Sequence, residues 1–166
     1  MSVSTKDSKE KERKKKEFNE KVIEYCPYLW PRGQYTHRKD QNYDYSYSVF
    51  DYVPDGWRKK FILDFCKELN IILDKLTYTE ENPYIPTRIN SIFGHFTVHS
   101  TWTNPEIDEL VKKYENIGLH TCVDCGRTAI VRGELTGTPY CKDCMQKYKR
   151  FNKFIDVDKF KEFGEE

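Results

Sequence analysis

Thr121-Cys122-Val123-Asp124-Cys125-Gly126 and, after a short Gly-containing segment, Tyr140-Cys141-Lys142-Asp143-Cys144 are the stretch that decides the fold of the C-terminal third. Two C-x-x-C pairs at this separation can each grip one metal from a tight turn, and four thiolates in a tetrahedron suit Zn²⁺. Cys122, Cys125, Cys141 and Cys144 are therefore the expected zinc ligands. With every coordination position taken by sulfur, none is left for an activated water, so the expected ion is structural. Disulfides are the competing reading of six cysteines, but paired spacing without a secretory signal favours metal in a reducing compartment. Cys26 and Cys66 remain, and Cys66 sits on an apolar helical stripe as a packing thiol.

Between the pairs, residues 128–131 and 134–140 are β-prone around Arg132-Gly133, which reads as an exposed hairpin turn. Residues 145–151 after Cys141 read as a helix with the second pair on its first turn, where the helix dipole favours thiolates. Knuckle, hairpin and helix make a treble-clef zinc module over residues 119–152. The last residues, 153–166, alternate Phe154, Ile155, Val157, Phe160 and Phe163 with charged residues and read as a tail or helix.

Upstream, residues 18–118 read as an α+β core. Trp57, Phe61, Phe65, Leu69, Ile72 and Leu76 recur at three- and four-residue steps after Pro54-Asp55-Gly56, predicting a central helix capped by Asp55. Tyr43, Tyr45, Tyr47 and Val49 alternate with polar residues, which predicts a strand bearing a tyrosine ladder. Half-buried strands are rich in tyrosine, so packing is the expectation, with stacking on nucleobases as the alternative. Residues 88–102 read as β structure with a turn or bulge at Phe93-Gly94, and the stretch from Tyr78 to Pro86 as a loop. Asn104-Pro105-Glu106 opens another helix, which Gly118 is expected to end. Phe18, Val22 and Tyr25 form one helical stripe ended by Pro27 and Pro31. Residues 1–17 are charged and read as flexible or as an exposed helix, with Lys14-Lys15-Lys16 diluted by Glu10, Glu12 and Glu17. The fold class is α+β: a small mixed sheet on a central helix, with the treble-clef module at the C-terminal end.

A third of the 166 residues are charged, yet the formal net charge is +1, so any polyanion would have to be met by a local patch. Ile71-Ile72-Leu73 is the longest aliphatic run, far short of the roughly 20 residues a membrane helix needs. A cytoplasmic protein without membrane contact is the expectation, in the host cytoplasm if the chain is viral.

Gly56-Trp57 opening an apolar helix, Phe93-Gly94 leading a strand, and Thr121-Cys122-x-x-Cys125-Gly126 with a closing Cys141-x-x-Cys144 stand in an order that resembles a family of small zinc-ribbon or treble-clef-bearing proteins of bacteriophages and prophages. The resemblance spans Tyr25-Cys26-Pro27 to Cys144. It implies a fold and a mobile-element context, not a reaction. On the strand after Phe93-Gly94, Thr97, Val98 and His99 replace the family's basic residue and aromatic pair.

Enzyme readings find little support. No histidine lies between Cys125 and Cys141 or after Cys144, as a treble-clef nuclease would need, and neither His95 nor His99 begins the His-x-Glu of a nucleobase deaminase. His95 and His99, four apart on one strand face, could be acid and base, but surface polarity is preferred because no carboxylate can be placed beside them. His120 is expected to support the first knuckle rather than to ligate. The expected function is non-enzymatic binding of a host or viral macromolecule, protein or nucleic acid. Candidate contacts are Tyr43, Tyr45, Tyr47, Arg127, Arg132, Lys147, Lys149 and Arg150, with Arg127 and Arg132 on the exposed hairpin. Nucleic-acid binding as the function itself, and counter-defence by sequestering or cleaving a nucleotide signal, are the alternatives.

Overall fold

Four-residue spacing from Trp57 through Phe61, Phe65 and Leu69 to Leu73 drifts about 40° per step on a helix of 3.6 residues per turn. The chain absorbs that drift with one wider turn. In the computed structural model, which describes residues 3–76 and 79–162, α2 (Asp55–Trp57) runs into a π turn (Arg58–Ile62) and on into α3 (Leu63–Lys75). Trp57, Phe61, Ile62, Phe65, Cys66, Leu69 and Leu73 are all buried as a result, while Ile72 and Leu76 are partly covered. Asp55 is not the cap. The cap position is Pro54 without a side-chain bond, and Asp55 lies in the first turn, ion-paired with Arg58.

Helix α1 (Val3–Tyr25) takes in the charged N-terminal segment and ends at Pro27, which opens a 3₁₀ turn (Pro27–Leu29). Val22 and Cys26 seat it on α3, and its buried Asn19 donates from Nδ2 to the Tyr45 carbonyl at 2.8 Å. Strands β1 (Pro86–Ile92) and β2 (His95–Ser100) form an antiparallel hairpin whose turn is Phe93-Gly94, both residues with positive φ. Helix α4 (Pro105–Leu119) begins where expected, with Asn104 Oδ1 accepting from the N–H groups of Glu106 and Ile107. Gly118 lies inside this helix rather than ending it: its φ is not positive, it packs closely on the Trp57 ring, and His120 takes the C-cap. Phe61, Phe65, Phe96 and Tyr114 interlock at centroid distances of 5.2–5.7 Å, the aromatic centre of the core.

Four further expectations are corrected. The sheet is not one mixed sheet but two antiparallel ones, the β1-β2 hairpin and a three-stranded sheet ordered β4 (Pro139–Tyr140), β3 (Val131–Gly133), β5 (Phe154–Asp156). Residues 43–53 are turns, not a strand. Asp44, Ser48 and Asp51 accept backbone N–H groups locally and Tyr45 has a φ of 64°, so side chains compete successfully with any ladder. The described part of the C-terminal segment, read as a tail or helix, holds neither a free tail nor an α-helix: β5 pairs with β3 and a 3₁₀ turn (Val157–Lys159) follows. Helix α5 (Lys142–Met145) is a single turn, with further turns through residue 151. Tyr78 and Phe163 lie outside the described residues.

Candidate metal centre

The first cysteine pair is shaped by a backbone knuckle in which the Gly126 N–H donates to the Cys122 carbonyl at 3.0 Å and the Cys122 N–H to the Arg127 carbonyl at 2.8 Å. Gly126 closes it with a φ of 80°, a conformation glycine adopts without a Cβ penalty. Cys141 forms the second grip: it is the N-cap of α5, and its Sγ accepts the Cys144 N–H at 3.4 Å. The four Sγ atoms of Cys122, Cys125, Cys141 and Cys144 all lie within 4.8 Å of one another, with Cys125 and Cys141 at 3.6 Å. A tetrahedron of sulfurs about 2.3 Å from a central ion has edges of about 3.8 Å. The residues therefore fit one metal ion. All are free thiols, three of them buried and Cys125 half-buried.

Burial opposes ionisation at Cys122, Cys141 and Cys144. At Cys141 the Cys144 N–H and the neighbouring thiols outweigh it and bring the group down to about 7. Cys122 and Cys144 are pushed up, by burial first and then by hydrogen bonding to adjacent sulfurs. Four crowded thiols share protons poorly, and a divalent cation relieves the competition by stabilising thiolates together. The chemistry available to such a set is the grip itself.

The centre is anchored to the core through glycine. The Gly56 N–H donates to the Val123 carbonyl at 2.7 Å, and a Cβ on Gly56 would fall well under 3.0 Å from Cys122 O, Gly126 N and Val123 C. Trp57 Nε1 donates to the Thr121 carbonyl at 3.0 Å. A second anchor joins the two hairpins: Gly94 and Gly137 abut so closely that a Cβ on either would strike the other turn's backbone. Sequence reasoning singled out Gly56-Trp57 and Phe93-Gly94 only as landmarks, without a signal for what they touch.

Arg132 departs furthest from expectation. It is not on an exposed turn but in β3 at 3% exposure, and the turn falls at residues 134–137. Its Nε donates to the Gly137 carbonyl at 2.7 Å, one Nη to the Phe93 carbonyl at 3.0 Å, and the other to Glu162 Oε1 at 2.6 Å, while its plane covers Phe160 at 3.8 Å. Residues from three separate segments thus satisfy one guanidinium. Glu162 also meets His95 Nε2 at 3.0 Å, and His95 Nδ1 meets Glu115 at 2.6 Å. The carboxylates that the sequence could not place beside His95 are Glu115 and Glu162, and they clasp it from opposite ring nitrogens.

Tyr43, Tyr45 and Tyr47 come together, but against one another and Trp30, at centroid distances of 4.9–6.1 Å. The Tyr43 hydroxyl donates to the Tyr47 carbonyl and the Tyr47 hydroxyl to Asp40, so two of the three hydroxyls are engaged within the protein. Arg127 is exposed and paired with Asp143 at 3.0 Å, and Lys147, Lys149 and Arg150 are exposed on the turns after α5. His99 is exposed. His120 turns its ring to the Asn116 carbonyl and Asp158 and supports the module through its own carbonyl, which accepts the Ala129 N–H at 2.8 Å. Among the described residues no helix is long and apolar enough to cross a membrane. No family model, curated protein or solved structure matches this chain.

Proposed function

We propose that the chain is a non-enzymatic, zinc-stabilised binding protein, of the kind carried by bacteriophages and mobile elements, that engages a host or viral macromolecule. Zinc is the ion proposed because four thiolates in a closed tetrahedron are a common structural zinc set, with no position left for water or substrate. The module is of treble-clef type, with a knuckle at Cys122–Gly126, the β3-β4 hairpin, and the second pair on the first turn of a short helix. The observation that carries the reading is the closed ligand set docked on the core at Gly56, a scaffold that holds Arg127, Lys147, Lys149 and Arg150 on its outer rim. A centre saturated by protein sulfur supplies shape, and the cations around it supply contact.

The test is affinity capture from host cells by the zinc-loaded chain and by a variant carrying Arg127→Ala, Lys147→Ala and Arg150→Ala. The expected result is a partner held by the parent, confirmed with purified components, and lost from the variant while zinc content and melting temperature stay unchanged. A partner bound equally by both would remove the rim from the account.

A further inference from the structure

Lys11, Lys14, Lys15 and Phe18 follow one another at steps of three, one and three residues, which places them on a single face of α1. The fold brings that face against Arg58 and Lys59, and these six residues line a cavity of about 450 Å³. Among the described residues Asp55 is the only carboxylate on its wall, and it is already paired with Arg58. Five cations thus face one acid in a chain whose formal net charge is only +1.

Like charges at helical i, i+3 and i, i+4 spacing repel, and the fold adds two more cations from another element. Lys14 and Lys15 are partly balanced, by Glu10 at 3.6 Å and Asp51 at 3.4 Å. Lys11 and Lys59 have no ion-pair partner among the described residues. The cations opposite α1 stand on the π turn, a local widening of the helix frequent at functional sites, which here re-aims Arg58 and Lys59 while Phe61 and Ile62 stay buried. Lys14-Lys15-Lys16, diluted when read along the chain, are resolved by the fold: Lys14 and Lys15 belong to the cavity and Lys16 does not.

We propose that this cleft binds a nucleoside phosphate, with the phosphates among Lys11, Lys14, Arg58 and Lys59 and the flat ring against Phe18. The volume lies within the range of small-ligand pockets and exceeds what a bare phosphate ion needs, and the apolar wall gives the ring a place. None of these residues belongs to the metal module, so the cleft stands or falls separately from the role proposed for that module. The same chemistry arrives as a free nucleotide or as links of a single strand.

Fluorescence anisotropy of the full zinc-loaded chain with labelled adenosine triphosphate, and separately with a labelled short oligothymidylate, tests it. Binding of either probe is expected, at least tenfold weaker in the Lys11→Ala/Lys59→Ala variant at unchanged melting temperature. Tighter binding of the nucleotide identifies a nucleotide pocket, and tighter binding of the strand, with a salt slope falling by about 0.7 per lysine removed, identifies a single-strand groove. Phe18→Leu should weaken the same probe while preserving the fold. Neither probe binding, equal binding by the double-lysine variant, or displacement by inorganic phosphate as effective as by unlabelled nucleotide would overturn the proposal.

Discussion

A methyl group at residue 56 has nowhere to go. Three backbone atoms of the metal knuckle already stand where it would lie, and none is the end of a flexible side chain. Gly56→Ala is expected to cost about 3 kcal/mol or more through backbone displacement, seen as a lower urea midpoint. Arg132 is the other residue on which distant segments converge. Arg132→Ala would remove the donor that the Phe93 and Gly137 carbonyls share and the cation paired with Glu162, for an expected loss of about 2–3 kcal/mol by denaturant unfolding. Burial tends to raise the Glu162 carboxyl, but His95 and Arg132 outweigh it and hold it below its ordinary 4.5. A depressed carboxyl contributes stability that is full above its unfolded value and disappears as pH falls through its lower native value. Stability of the parent should therefore decline across that acid window more steeply than that of Glu162→Gln, as read from melting temperature against pH. In the sequence, position 132 is only an arginine beside a glycine; its burial depends on carbonyls and a carboxylate from residues 93, 137 and 162, which no local pattern reveals.

Elements whose stability is decided locally or by one long stripe were legible. The apolar face from Trp57 to Leu73 announces the central helix, and Asn104-Pro105-Glu106 announces α4 by its cap. Asn104→Ala should cost about 1 kcal/mol, because the Glu106 and Ile107 N–H groups lose their acceptor, and a urea titration would show it. Alternation misled where side chains bind their own backbone: Tyr43 to Val49 has the period of a strand, yet Asp44, Ser48 and Asp51 fold it into turns. The π turn was hidden for a different reason, since four-residue spacing is compatible with a plain helix until the burial of both Phe61 and Ile62 must be met. Strand β5 was missed because three residues pair only when β3 offers them an edge.

At the scale of the molecule, the four cysteines were the legible part of the site, and what they hold together was not. The Cys122 knuckle rests on Gly56, Trp57 bonds to Thr121, and the Gly94 turn abuts Gly137, so the metal module meets the rest of the fold both at the start of α2 and at the β1-β2 turn. Loss of the ion should then be felt in the core, beyond the C-terminal third. Trp57, fully buried and bonded to the segment carrying Cys122, reports on that coupling. The most direct measurement is elemental analysis of the purified chain, followed by tryptophan fluorescence and amide exchange during titration with a strong chelator. One zinc per chain is expected, with the red shift of buried tryptophan and loss of protection in α2 and α3 tracking its removal. A metal-free chain that keeps the same fluorescence and the same protection would contradict this coupling.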